Sequence, residues 1–136
     1  MPDFDPTVRT RTVSRVIGPY LIAVAAMLLT RQHQLPVLLT TYMQDDVLVL
    51  ATGAFALMAG LVLVAAHHHW NGPSAIVISL IGIVATIKGA WLLIAPSLGS
   101  QMTAFAIHAP SFLLIVAGIE FVVGCWLSSV GWLSKT

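Results

Sequence analysis

The stretch that decides the fold is residues 47–66, VLVLATGAFALMAGLVLVAA, which contains no charged residue. About 20 consecutive apolar residues in a helix cross a hydrocarbon core of about 30 Å. Asp45 and Asp46 precede this stretch, at a position where acidic side chains cap a helix and favour its dipole. The stretch is therefore predicted to be a membrane-spanning helix.

Three further apolar stretches predict three more spans, at about 13–30, 74–95 and 110–130. Proline marks two of the boundaries, because Pro96 follows the third stretch and Pro110 begins the fourth. The predicted fold class is all-α, a four-helix transmembrane bundle.

The composition agrees with a membrane protein. Hydrophobic residues make up 58% of the 136 residues and charged residues only 8%, whereas about a quarter of a soluble domain is charged. The length favours one domain, so residues 13–130 are predicted to form the membrane domain, between tails at 1–12 and 131–136. The net charge of +1 gives no indication of nucleic-acid binding.

Arg9 and Arg11 precede the first stretch and Arg15 lies at its start, a basic flank that is also typical of a signal peptide. No small-x-small cleavage site follows the stretch at 30–34, which favours a membrane span. Pro19 is then expected in the first turn or two of the helix, where proline is tolerated best.

The orientation follows from the distribution of lysine and arginine. Arg9, Arg11, Arg15 and Lys135 lie on one side of four spans, and only Arg31 lies on the other. The positive-inside rule therefore predicts that both termini are cytoplasmic.

Two short segments, 35–44 and 101–108, precede the second and fourth spans. They are too short to cross a bilayer, and their apolar residues recur near helical spacing. We expect interfacial segments here, and the pattern leaves open whether they are helices or loops.

The two halves of the sequence resemble each other at an offset of roughly 64 residues. Ile17-Gly18 matches Ile81-Gly82, and Gly53 and Gly60 correspond, after a short insertion, to Gly118 and Gly124. Two tandem two-span repeats would have the same orientation, with a symmetry axis along the membrane normal. Chance similarity within an apolar alphabet is the alternative.

Small residues recur four positions apart in two spans, as Ala56 with Gly60 and Ala85 with Gly89. Such pairs allow close helix packing in lipid. They predict the seam of the bundle, and a homodimer face is the alternative.

Lys88 and Glu120 are the ionisable side chains deepest within the predicted spans. A charge there costs about 2.5–3.5 kcal/mol on insertion scales, which an intramembrane ion pair between the two would offset. The pair is either a structural lock between two helices or a proton or cation site, and absence of contact is the third alternative.

Histidines form two further groups. His67, His68 and His69 could bind a metal weakly or sense pH, or could be ordinary interfacial residues. His33 and His108 share the opposite side with Asp45 and Asp46, where solvated loops are favoured over a metal site.

One part of the chain resembles a known group of proteins. The segment 60–64 with His67 and Trp70, then Ile81-Gly82 and the segment 88–93 before Pro96, resembles small bacterial four-span membrane proteins of uncharacterised function. The resemblance implies an inner-membrane location and brings no activity with it.

No nucleophile, phosphate-loop, zinc-helix or haem-attachment motif is present, so no catalytic residue, metal or cofactor is predicted. The favoured function is a non-enzymatic accessory or assembly subunit, or a homo-oligomer, with the lipid bilayer as its surroundings and a larger membrane complex as a candidate partner. The alternative is a small proton- or cation-coupled transporter or channel that uses Lys88 and Glu120.

Overall fold

The computed structural model describes residues 6–66 and 72–133, and these form six α-helices. The helices are α1 (Pro6–Thr30), α2 (Leu35–Gln44), α3 (Asp46–Ala66), α4 (Pro73–Ile94), α5 (Pro96–His108) and α6 (Pro110–Trp132). Helices α1, α3, α4 and α6 are long and apolar enough to cross a membrane. The predicted all-α, four-helix transmembrane fold is confirmed.

Helix α1 begins earlier than the apolar stretch that predicted it. It runs from Pro6, so Pro19 lies inside the helix and the expectation that it lies in the first turns was wrong. The polar first turns still form a helix, and proline at Pro6 suits a helix start. Pro19 removes one backbone hydrogen bond, the one that residue 19 would donate to the carbonyl of Arg15.

The two short segments are helices, which resolves the choice that the sequence left open. Helix α5 begins at Pro96, earlier than the predicted segment at 101–108. Asp45 separates α2 from α3, and its Oδ1 accepts a hydrogen bond of 3.0 Å from the backbone N–H of Leu48. The predicted cap at the start of the second span is confirmed by this bond.

The long helices pack in two pairs. Helix α1 lies mainly on α6, and α3 lies mainly on α4, while α1 and α4 contact each other less. A small core joins the pairs, formed by Ile17 and Leu21 of α1, Ile78 of α4 and Leu127 of α6. Large apolar side chains are exposed on all four long helices, which is the surface that a surrounding bilayer would cover.

The small residues lie at the seam between α3 and α4. A Cβ atom added to Gly60 would meet the backbone nitrogen of Thr86, and one added to Gly89 would meet the backbone nitrogen of Leu57. Ala56 and Ala85, in the same two helices, are half-buried. Both glycines are therefore used within the chain, and the alternative of a homodimer face is not available to them.

Four glycine contacts occur as two pairs, and the members of each pair are related by the same offset of 64 residues. A Cβ at Gly18 would meet Ser128 and one at Gly82 would meet Val64; likewise Gly60 approaches Thr86 and Gly124 approaches Ile22. Pairing of α1 with α6 and of α3 with α4 is the pattern that two tandem repeats related by a two-fold axis would give. The repeat itself stays a prediction.

If the halves are repeats, the contacts favour one correspondence between their glycines. Gly124 is related to Gly60 without the insertion that the sequence comparison assumed. At this offset Gly53 corresponds to Ala117, which is buried like Gly53, and Gly118 has no atom within 4 Å of an added Cβ. Matching Gly53 with Gly118 had shifted the sequence alignment by one residue at this position.

Candidate intramembrane site

Lys88 and Glu120 lie on helices that are not paired with each other. Lys88 is an exposed residue of α4 and Glu120 a half-buried residue of α6, whereas α4 packs mainly on α3 and α6 on α1. Within the described part of the chain no ion pair joins them. A direct pair would require α4 and α6 to be close neighbours, and each of them packs mainly on another helix.

Glu120 is left without a bonded partner on one oxygen. Its Oε2 is buried and has no hydrogen-bond partner among the residues that the structure describes. The charge of Lys88 acts on this carboxylate through space. The two side chains therefore share one electrostatic environment, and neither is neutralised by a bond to the other.

Beside Lys88 lies a cavity of about 530 Å³, at the end of the bundle that carries α2 and α5. Residues of α1, α2, α4, α5 and α6 line it. The described lining residues are Met27, Leu28, Leu35, Leu39, Met43, Val84, Ile87, Lys88, Trp91, Leu92, Gly99, Met102, Thr103, Ala106 and Leu113. Trp91 and Met102 are partly exposed, so the cavity can be reached from outside the bundle.

Few lining residues have polar side chains. Lys88, Thr103 and Trp91 are the described lining residues whose side chains carry a nitrogen or oxygen atom. The described lining contains no aspartate, glutamate, histidine or cysteine. The surface that faces the cavity is almost entirely apolar.

The cavity lies between the two halves of the chain. Four of its lining residues in α1 and α2 are related by the 64-residue offset to four in α4 and α5. These pairs are Met27 with Trp91, Leu28 with Leu92, Leu35 with Gly99 and Leu39 with Thr103. Lys88 corresponds in the same way to Val24. All the polar groups thus come from the second half.

Sequence reasoning found Lys88 but missed Thr103, Trp91 and the cavity itself. Trp91 lies within the third predicted span and Thr103 within the predicted interfacial segment 101–108, and neither was predicted to belong to a site. The signal that could have found them is the repeat, because at these positions an apolar residue of the first half is replaced by a hydrogen-bond donor in the second.

The histidine predictions have different outcomes. His67, His68 and His69 lie outside the described residues. His33 and His108 are exposed, and the His108 ring nitrogen Nδ1 lies 2.7 Å from the backbone oxygen of Ala104. The described residues include no group of three potential metal ligands, and Asp45 is engaged as a helix cap.

Comparisons with family models, with curated proteins and with solved structures found no match to this chain.

Proposed function

We propose that this chain is a non-enzymatic integral protein of the bacterial inner membrane that holds an apolar molecule from the bilayer in the cavity between its two halves. The observation that carries the proposal is the cavity itself, about 530 Å³ in volume and almost entirely apolar. Pockets for small ligands have volumes of about 300–1,000 Å³ and combine apolar walls with a few polar groups.

The position of the cavity supports the same function. Membrane proteins built from repeats bind their ligands at the interface between the repeats. We propose that the two halves are such tandem repeats, because the 64-residue offset relates both the glycine contacts and the cavity walls. With both termini in the cytoplasm, the α2 and α5 end would face the opposite side of the membrane.

The chemistry of the lining favours binding over catalysis. Its surface is almost entirely apolar, and its described residues offer no carboxylate or imidazole as a general base. A protein that holds a membrane molecule without transforming it would serve as an accessory subunit, alone, as a homo-oligomer or within a larger membrane complex.

Filling the cavity tests this function. Gly99 lines the cavity, so Gly99→Leu should occupy part of it. In proteoliposomes, an uncharged photoactivatable long-chain alcohol should label the wild-type cavity saturably and should lose this labelling in Gly99→Leu. Gly118→Leu is the matched control, because an added Cβ there meets nothing within 4 Å. Equal, non-saturable labelling of all three proteins would contradict the proposal.

A second candidate function is favoured by Glu120. A buried carboxylate oxygen without a hydrogen-bond partner suits a site that binds and releases a proton, since intramembrane acids are characteristic of proton pathways. The chain would then be a small proton- or cation-coupled transporter. Glu120→Gln should fold normally and abolish proton-dependent flux in proteoliposomes, and Asp46→Asn is the control. Unchanged flux in Glu120→Gln, or no flux in the wild type, would exclude this candidate.

A further inference from the structure

The cavity is closed on one side of the membrane. The core residues Ile17, Leu21, Ile78 and Leu127 belong to α1, α4 and α6, and Leu63 of α3 packs against them. In α1, α4 and α6, the core residues lie nearer to the side of the chain termini than any described lining residue does. All four long helices therefore meet on the side of the termini, and the cavity lies on the side of α2 and α5.

The depth of the cavity matches one leaflet of a bilayer. Val84 is the described lining residue of α4 that lies farthest from the helix end at Ile94, at a distance of about 15 Å along the helix axis. The hydrocarbon core of a bilayer is about 30 Å thick, so one leaflet contributes about 15 Å. A hydrocarbon chain in the cavity would therefore lie at the level of the chains of the leaflet on the α2 and α5 side.

The cavity opens sideways along one face of α4, where the spacing of its exposed lining residues is helical. These residues are Val84, Ile87, Lys88 and Trp91. The face is directed towards α6, because the Lys88 charge acts on Glu120 and because Leu113 of α6 lines the same cavity. Since α4 packs mainly on α3, and α6 on α1, a gap is left between α4 and α6, which we call the lateral mouth.

The surface inside the cavity suits a hydrocarbon chain and does not suit a head group. It is almost entirely apolar, so a phosphate or another polar group inside it would lose its hydration without gaining hydrogen bonds. Met27, Met43 and Met102 contribute to the lining, and methionine is flexible enough to adapt to apolar ligands of varied shape. The head group of a lipid would therefore remain outside, at the interface.

We infer that the cavity holds one hydrocarbon chain of a bilayer lipid, which enters through the lateral mouth from the leaflet on the α2 and α5 side. The inference rests on the proposed function and names the ligand class and its route. The core around Ile78 and Leu127 separates the cavity from the opposite leaflet, so the protein takes lipid from one leaflet only.

The experiment uses the full-length protein with a C-terminal affinity tag in proteoliposomes. Vesicles with the tag inside are separated from vesicles with the tag outside, and a phosphatidylcholine with a diazirine in the middle of one chain is exchanged into the outer leaflet only. Labelled residues are identified by mass spectrometry. Leu35 and Leu92 are informative because they line the cavity and are only 4% and 5% exposed. Both should be labelled with the tag inside, and this labelling should be lost with the tag outside.

Two exposed residues report which leaflet the probe occupies. Val47 of α3 lies on the α2 and α5 side and Val16 of α1 on the side of the termini, and both are exposed outside the described lining. Val47 should be labelled with the tag inside and Val16 with the tag outside. Loss of labelling at Leu35 and Leu92 is thereby distinguished from absence of the probe.

The variant Ile87→Trp tests the route. A larger side chain at this exposed lining position should block the lateral mouth and abolish labelling of Leu35 and Leu92, while Val47 stays labelled. Ala23→Trp is the matched control, because Ala23 is related to Ile87 by the 64-residue offset, is exposed and lies outside the described lining. Circular dichroism verifies that both variants are folded. Labelling of Leu35 and Leu92 in Ile87→Trp as in the wild type would overturn the lateral mouth.

The remaining outcomes separate the inference from the proposed function. Equal labelling of Leu35 and Leu92 from both leaflets would overturn the one-sided entry and leave an apolar binding site. Labelling of these residues by the long-chain alcohol but not by the phosphatidylcholine would overturn the lipid chain as the ligand and leave the proposed function. Labelling by neither probe in the wild type would overturn both.

Discussion

The first half of the chain, residues 6–66, and the second half, residues 73–133, share the contacts that pair their spans but differ in their polar residues. At the 64-residue offset, Lys88 and Glu120 stand where the first half has Val24 and Ala56. The close approaches at Gly18, Gly60, Gly82 and Gly124 are instead present in both halves.

The glycine contacts that occur in both halves stabilise the fold, whereas the charges that occur in one half are candidates for a binding site. Close helix packing depends on small residues at the crossing points, and these occur in both halves. Charges within a membrane are unfavourable, and they are retained mainly where they serve a function. Their restriction to the second half is what we expect if one half carries the proposed site and both halves carry the contacts that pair the helices.

The largest expected effect comes from the shared contacts. Gly60→Ala places a Cβ against the backbone nitrogen of Thr86, which cannot move without separating α3 from α4. We expect a loss of about 2–3 kcal/mol in the free energy of unfolding, the upper part of the range for overpacking. Denaturation in mixed detergent micelles, followed by circular dichroism, measures it.

Gly124→Ala, the variant related to Gly60→Ala by the 64-residue offset, tests the same contact in the other half. Gly124→Ala meets the side-chain Cγ1 of Ile22 at 2.9 Å and backbone atoms only from 3.0 Å, so its loss should be smaller, about 1 kcal/mol. Gly118→Ala should instead gain up to about 1 kcal/mol, because alanine favours a helix and nothing lies near its Cβ. A larger loss for Gly124→Ala than for Gly60→Ala would contradict the assigned contacts.

An effect of opposite sign, smaller than that of Gly60→Ala, is expected at Glu120, a charge that only the second half carries. Glu120 Oε2 has no hydrogen-bond partner among the described residues, so Glu120→Gln should raise the free energy of unfolding by about 1 kcal/mol. A direct ion pair with Lys88 would give the opposite result, a loss of about 3–5 kcal/mol that Lys88→Met would largely restore. Unfolding of the two single variants and the double variant distinguishes these cases.

Hydropathy predicted most of the fold. The apolar stretches gave all four spans, since a bilayer requires long uncharged helices, and Asp45 was correctly predicted as a cap. The early start of α1 at Pro6 was not predicted, because its first turns are polar and leave no hydrophobic signal. The short helices α2 and α5 are decided by packing at the end of the bundle, which periodicity over so few residues does not capture.

The site was less predictable because it depends on which helices are neighbours. Charge alone identified Lys88 and Glu120, but the sequence did not show that α4 pairs with α3 and α6 with α1. Without that pairing, a direct ion pair was the simplest way to neutralise two charges. The cavity also depends on how far apart α2 and α5 lie, a distance that no local pattern encodes.

The last expected effect, of similar size, concerns the start of the last span in each half. Asp45 caps α3, and its counterpart Ala109 precedes α6 with no side-chain cap. Asp45→Ala should lower the free energy of unfolding by about 1 kcal/mol, whereas Asp45→Asn should change it little, because asparagine caps a helix equally well without the charge. Thermal unfolding of both variants in one detergent measures the difference.

Adding an aspartate before α6 tests whether the cap of α3 also stabilises the equivalent helix of the second half. Ala109→Asp would give α6 the cap that α3 has, with proline already favouring the helix start at Pro110. A gain in the free energy of unfolding, smaller than the loss in Asp45→Ala, is expected because the backbone N–H of Phe112, the equivalent of Leu48, already donates to the Ala109 carbonyl at 2.9 Å. An equal loss in Asp45→Asn and Asp45→Ala would show instead that the charge of Asp45 matters and its hydrogen bond to Leu48 does not.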